Sequence, residues 1–420
     1  MKLKRVRLGD VFSIKQGFAF KSSNYVNRSN YRLVTLGNFS NDNSFKFNND
    51  KAKYYKGNFP NDVELKEMDL ILPLTEQVEG LLGNSAFVPN VNNKHFNFVL
   101  NQRVGKIICN DKKIDKKFLH YLLSTNLIKD QMEAFAHGTR QRNISPEEIY
   151  KIEAYIPTIS VQSKIGNFLY SIERKIDNNN KICEELESMA KTIYDYWFLQ
   201  FEFPDKDGKP YKSNGGKMIW NDQLKQEIPE GWEVDNLYRI AKFINGIACQ
   251  KYRPLDDKHK LPVIKITEMH DGFTENTEFV RDSISKDHII NDGDILFSWS
   301  ASLGTMIWNN GKGGLNQHIF KVIPQDYFSQ HFVYQTLSSY IVNFKRMAEA
   351  RKTTMGHITK DHLKQSRIMI PPKHVINKFE SLVNNFYKEI TNLNEENQQL
   401  KSLRDFLLPL LVNGQVTVEG

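Results

Sequence analysis

The sequence predicts an α+β protein made of two tandem globular units of mixed strands and helices, each followed by one long helix. Three observations carry this expectation. Ile165, Leu169, Ile172, Ile176, Asn179, Cys183, Leu186, Ala190 and Ile193 recur at alternating steps of four and three, a heptad seam held for about four heptads. Near the other end, Phe379, Val383, Phe386, Ile390, Leu393, Asn397, Leu400, Arg404 and Leu407 repeat the same steps. Finally, Tyr155-Ile156-Pro157 and Met369-Ile370-Pro371 stand 214 residues apart, and this offset also carries Asn143-Ile144-Ser145 onto His357-Ile358-Thr359, Ile176 onto Ile390 and Leu186 onto Leu400. A period of half the chain indicates a duplicated domain rather than a solenoid.

The first helix exposes Glu173, Arg174, Lys175, Asp177, Lys181, Glu184, Glu185 and Glu187 away from its seam. A helix with a single apolar stripe needs a partner, and the second heptad run supplies one. Asn179 and Asn397 on the seams are expected to fix register at some cost in stability. Arg404 leaves the second seam imperfect.

The first unit opens with Leu8-Gly9-Asp10 and an apolar stretch ending at Gly17, followed by an extended segment at Arg32 to Leu36. Asn38 to Asn49 is rich in Asn, Asp and Ser and reads as a loop. Asp69 to Leu74 and Phe96 to Ile108 contain buried strands, and Ile114 to Phe135 has helical periodicity. Ser145-Pro146-Glu147-Glu148 is a capping signal for a short helix. The second unit repeats the order. Ile244-Asn245-Gly246 matches Lys15-Gln16-Gly17, Gly293 to Phe297 matches Met68 to Pro73, and Leu315-Asn316-Gln317-His318 matches Leu100-Asn101-Gln102-Arg103. Pro204 to Trp232, rich in Gly, Pro, Lys and Asp, reads as a linker. The expected segmentation is therefore 1–158, a helix over 159–200, a linker over 201–232, a second unit over 233–372, and a helix over 373–412.

Composition narrows the function classes. The 420 residues suffice for two to four domains, and 40% hydrophobic with 25% charged residues is the balance of a soluble globular protein. No apolar run approaches a membrane span, and the start of the chain lacks the apolar region of a secretory signal. Cys109, Cys183 and Cys249 lie far apart and form no disulfide framework or zinc pattern, so a cytoplasmic location is expected. A net charge of +8 favours a polyanionic partner.

No catalytic or metal-ligating constellation and no cofactor motif stands out. Asp205 with Asp207-Gly208-Lys209 imitates a nuclease signature, but its acidic groups are too close in sequence to meet from different strands around one metal. The same stretch lacks the terminal glutamate of a calcium-binding loop. More informative are two loops at equivalent places in the repeat. Thr139, Arg140, Gln141, Arg142 and Asn143 include side chains that pair bidentately with purine edges, and Arg351, Lys352, Thr353 and Thr354 offer base or phosphate contacts. Either loop alone would be an ordinary solvated turn; their recurrence makes them candidate DNA contacts. Lys21, Lys265, Trp299 and Gln317 complete the candidate set, although Trp299 suits a core equally well. The residues alone leave three classes open: a DNA-recognition scaffold, a self-contained methyltransferase or nuclease, and a coiled-coil assembly protein without DNA specificity.

The chain resembles the specificity subunit of type I restriction-modification enzymes. The resemblance rests on Gly138-Thr139-Arg140-Gln141-Arg142-Asn143-Ile144 leading to Ile156-Pro157, and on Leu315-Asn316-Gln317-His318. It rests most on the central join running from Trp197-Phe198 through Phe201-Glu202-Phe203-Pro204, Gly208 to Ser213 and Gly215 to Met218 to Ile228-Pro229-Glu230-Gly231-Trp232. The resemblance implies two target-recognition domains, each reading half of a split site in double-stranded DNA. It also implies an antiparallel helix pair acting as spacer, two docked methyltransferase (modification) subunits, and restriction/translocase subunits in the full complex. A helix of about 29 residues spans roughly 44 Å, which suits half-sites separated by about one helical turn or somewhat more. Two units of different sequence predict an asymmetric site.

Overall fold

The structure, a computed structural model, describes residues 2–40, 43–47, 49–76, 80–91, 95–138, 141–274, 276–300, 302–350 and 358–418. The chain forms two compact units, residues 1–175 with 400–420, and residues 176–399. Each long helix contributes to both.

In the first unit, strands Phe12–Gln16, Val104–Cys109, Leu70–Pro73 and Ala86–Phe87 form a four-stranded antiparallel sheet in that spatial order. Ile107 sits at its centre, opposite Ile14 on one side and Leu70 on the other. A second sheet orders Tyr25–Val26, Tyr54–Tyr55, Tyr31–Val34 and Asn97–Leu100, with the last two strands parallel. Leu70, Leu72 and Ile107 face the core that holds Phe118, Leu119 and Leu122, whereas Leu33, Val34, Phe98 and Leu100 form a separate core under the second sheet. Strand Leu70–Pro73 is buried on both faces, with Leu70 and Leu72 in the first core and Ile71 in the second, which divides the two.

The second unit repeats the plan. Ala241–Asn245, Ile319–Pro324, Ile295–Ser298 and Gly304–Ile307 form one antiparallel sheet. Phe279–Arg281, Lys260–Ile264, Gly313–Leu315 and Ile289–Ile290 form the other, in which Val263 and Ile264 run parallel to Gly314 and Leu315. The Ile-Pro segments also play one role twice: Lys4–Arg7 pairs with Glu153–Ile156, and Glu233–Asp235 pairs with Ile368–Ile370. The fold is α+β in both halves.

The long helices run over Ile159–Tyr194 and Lys373–Val412, about 54 and 60 Å at the rise of an α-helix. A five-residue π-helical segment, Asp195–Leu199, closes the first and buries Trp197 and Phe198. Within the second unit the helices pair antiparallel. Asn179 meets Asn397, Cys183 Sγ lies 4.0 Å from the Ile390 carbonyl, and the Tyr194 and Phe379 rings are 6.1 Å apart. Within the first unit, Ile165 and Leu169 share a core with Leu411 and Val412. Arg404, the irregular seam position, is half-buried with its guanidinium 3.9 Å from Glu173. The seam accommodates the charge by pairing it.

Two expectations are modified. The helical stretch over 114–135 divides into Lys116–Leu123 and Asn126–Phe135. At the break, Ser124 Oγ donates to the Tyr121 carbonyl (2.8 Å) and Thr125 Oγ1 to that of Leu122 (2.7 Å), competing with continuation of the helix. Residues 201–232, expected as a linker, instead bury Phe201, Phe203, Ile228 and Trp232 in the core of the second unit. Phe203 stacks on Tyr211 at 4.6 Å, and Met218–Asn221 pairs with Gln226–Pro229. The aromatic residues outweigh the turn-forming composition around them. Among the described residues, no helix is long and apolar enough to cross a membrane.

Candidate nucleic-acid interface

Strand Phe12–Gln16 carries Gln16 to the edge of a cleft of about 620 Å³ in the first unit. Gly17 then turns the chain against the buried Asn101. Its amide donates to the Val104 carbonyl (3.1 Å) and that of Phe18 to the Leu100 carbonyl (2.9 Å). A Cβ at Gly17 would collide with the Asn101 carbonyl, so the approach requires glycine. The turn Asn101-Gln102-Arg103 closes through Val104 N to Asn101 O (2.9 Å), and its exposed Gln102 also lines the cleft. Leu74 N donates to Arg103 O (2.9 Å) and Ile144 N to Leu74 O (3.1 Å), which ties the far wall to the same turn.

The far wall is polar. Thr75 Oγ1 donates to Asn143 Oδ1 at 2.8 Å, and His137 lies 2.6 Å from Glu148. Glu148 also closes the capping box of helix Pro146–Lys151, accepting from Ser145 N at 2.7 Å. Hydrogen bonds from Ser145, then from His137, hold its carboxyl below the usual range, outweighing burial.

The second unit repeats the scaffold bond for bond. Gly246 N donates to Ile319 O (3.0 Å), Ile247 N to Leu315 O (3.0 Å), and Ile319 N to Asn316 O (3.1 Å). Trp299 N donates to His318 O (3.3 Å), and Ile358 N to Trp299 O (2.9 Å). A Cβ on Gly246 would strike the Asn316 carbonyl just as at Gly17. The side chains on this common frame differ: Asn245 stands for Gln16, Trp299 for Leu74 and His318 for Arg103.

The candidate contacts fall as follows. Trp299 is half-buried, donating from Nε1 to Asn245 Oδ1 at 3.0 Å, with its ring 5.6 Å from His318. Gln317 Nε2 lies 3.3 Å from the His318 ring. Asn143 lines the first cleft, and Gln141 is half-buried with its carbonyl accepting from Asn143 Nδ2 (3.2 Å). The Arg142 guanidinium lies 2.5 Å from Glu76 and 3.6 Å from Glu133, so its charge is matched within the protein. Lys21 is exposed ahead of a short turn, and Lys265 pairs with Glu278 at 2.6 Å; neither lines the cleft. Thr139, Arg140, Arg351, Lys352, Thr353 and Thr354 lie outside the described residues. Sequence reasoning overlooked Gln16, Gln102, Thr75 and Asn245, although the shared Leu-Asn-Gln of the two turns pointed to one of these positions, Gln102. Among the described residues, no cluster of His, Cys, Asp and Glu is suited to hold a metal ion.

A family model described as the type I restriction modification DNA specificity domain matches residues 2–188 and again 229–402. The type I restriction enzyme MjaIX specificity subunit of Methanocaldococcus jannaschii is 26% identical over 326 residues, 76% of this chain and 73% of that protein. The HindI specificity subunit of Haemophilus influenzae is 24% identical over 382 residues, 78% of this chain and 83% of that protein. In fold, the chain is similar to the crystal structure of the type I restriction-modification S subunit from M. genitalium, with a TM-score of 0.57 and 14% identity over 98% of this chain and 96% of that one.

Proposed function

The chain belongs to the type I restriction-modification DNA specificity family, as a specificity subunit with two DNA-recognition domains, and from that premise we propose that it reads a split, asymmetric site in duplex DNA and performs no chemistry itself. In this reading, residues 1–158 and 233–372 are the two reading bodies. The helices over 159–200 and 373–412 set their spacing, and 201–232 joins the halves. Two methyltransferase subunits dock on the chain, restriction/translocase subunits complete the complex, and the whole works in the cytoplasm.

One observation carries the proposal. The same backbone hydrogen bonds build the turn in both units, yet the side chains displayed on it differ. A shared frame with unlike surfaces is what two unlike half-sites require, since base edges are discriminated by side chains while the frame and phosphate contacts only position them. Thr139, Arg140, Gln141, Asn143, Lys21 and Gln317 are the proposed direct contacts, with Arg351, Lys352, Thr353 and Thr354 as counterparts of the first loop. Arg142, Lys265 and Trp299, already engaged inside the protein, take part through the surface they support.

The test is methyl transfer. The purified chain with DNA and a methyl donor should give no product, while the chain with its modification subunits should methylate DNA at a defined sequence. Methylation by the chain alone would overturn the proposal.

A further inference from the structure

In both units the frame brings two side-chain carboxamides to one place. Gln16 ends its strand and Gln102 caps the turn beside it, both on the same cleft. Asn245 and Gln317 hold the corresponding positions in the second unit, where Asn245 is bonded to Trp299, and Trp299 in turn faces His318, the neighbour of Gln317. The turns are held from beneath by buried asparagines: Arg103 N donates to Asn101 Oδ1 at 3.3 Å, and His318 N to Asn316 Oδ1 at 3.4 Å. These bonds fix the backbone from which Gln102 and Gln317 project before any ligand arrives.

We propose that each unit reads an adenine of its half-site from the major groove, with Gln102 and Gln317 making the base contact and Gln16 and Asn245 at the strand ends beside their turns. The inference rests on the proposed reading of duplex DNA. A carboxamide offers one donor and one acceptor side by side. Adenine presents the complement, an N7 acceptor beside an N6 donor, whereas guanine presents two acceptors, cytosine a donor and thymine an acceptor with a methyl group. Only adenine satisfies both halves of the amide at once. The recurrence of a carboxamide at both positions in both units, on surfaces that otherwise diverge, marks these positions as sharing one ligand chemistry.

The experiment is selection from a randomised duplex library by the full chain bound to its modification subunits, followed by the Gln102→Ala, Gln317→Ala and Gln102→Arg variants. Gln102→Ala should flatten one adenine preference in one half-site, by roughly 5- to 150-fold for a lost bidentate contact, and leave the other half unchanged. Gln317→Ala should do the same in the opposite half. Gln102→Arg should shift that adenine position to guanine, a gain that misfolding cannot mimic. If the unaltered complex selects a split site and the variants select it with every adenine preference intact, the inference falls and the proposed function stands. If the unaltered complex selects no sequence, the proposed function falls and this inference with it.

Discussion

Asn179 donates from Nδ2 to Asn397 Oδ1 at 2.9 Å across the paired helices, and Asn397 donates in turn to Asn180 Oδ1 at 2.9 Å. Both Asn179 and Asn397 are buried. A hydrogen-bonded asparagine pair on a largely apolar seam forms in one register only, because a slip in either direction leaves the amides facing apolar side chains. Asn179→Leu should therefore destabilise the chain by about 1–3 kcal/mol by leaving the buried Asn397 Oδ1 without its donor. Adding Asn397→Leu should recover that loss. Thermal denaturation of the full chain measures both, and equal melting of all three proteins would remove the pair from any role in register.

Arg142 gives a second prediction, directed at stability. Glu76 is buried, accepts from the Leu81 amide at 2.9 Å and faces the Arg142 guanidinium at 2.5 Å. Arg142→Ala leaves that carboxylate without its cation and should cost about 2 kcal/mol. Arg142→Lys should restore part of it, since a lysine supplies charge without the guanidinium fork. Chemical denaturation checks this; an unchanged midpoint for Arg142→Ala would show the pair to be dispensable.

Two carboxyls predict the acid limb of stability. Burial raises Glu380, but the hydrogen bond and charge interaction with His331 at 2.7 Å and a hydrogen bond from Ser329 together outweigh it and hold the carboxyl below its ordinary value. Glu148 is held low by Ser145 and His137. Both bind protons less readily folded than unfolded. Their stabilisation is complete above the ordinary value of 4.5 and is lost as the pH falls through their folded values. Melting temperature followed over roughly pH 3 to 6 should fall on acidification, and the fall should be shallower in Glu380→Gln. An identical slope in that variant would contradict the assignment.

The thiols supply a fourth. Burial pushes Cys109 up to about 12, and Cys183 and Cys249 up to about 11. At pH 8 no more than about one in a thousand of these groups is thiolate, the reactive form. Iodoacetamide should therefore label the folded chain very slowly and the unfolded chain at the ordinary rate. Rapid labelling of a folded thiol would show that its surroundings open in solution.

Features with a fixed period were legible in the sequence. The heptads at Ile165 and Phe379 and the repeated Ile-Pro segments depend on local spacing, and the strands pairing with Glu153–Ile156 and Ile368–Ile370 show the duplication again. The packing of residues 201–232 was hidden because turn-forming residues dominate the composition there, while four dispersed apolar side chains enter the core. The cleft was largely illegible. Gln16 and Gln102 are 86 positions apart in the sequence and reach one cleft only because the strand ending at Gln16 pairs with the strand that follows the Gln102 turn and Gly17 lets the backbones close. Arg142 looked like a free cation because its nearer partner in space, Glu76, is distant in sequence from the loop.

The most direct test of the central claim, two unlike units each reading half of one site, is methylation mapping across the genome of cells carrying this chain and its modification subunits, against cells lacking the chain. The account predicts a split, asymmetric methylated motif that disappears with the deletion. A perfectly palindromic motif, or one that persists without the chain, would contradict it.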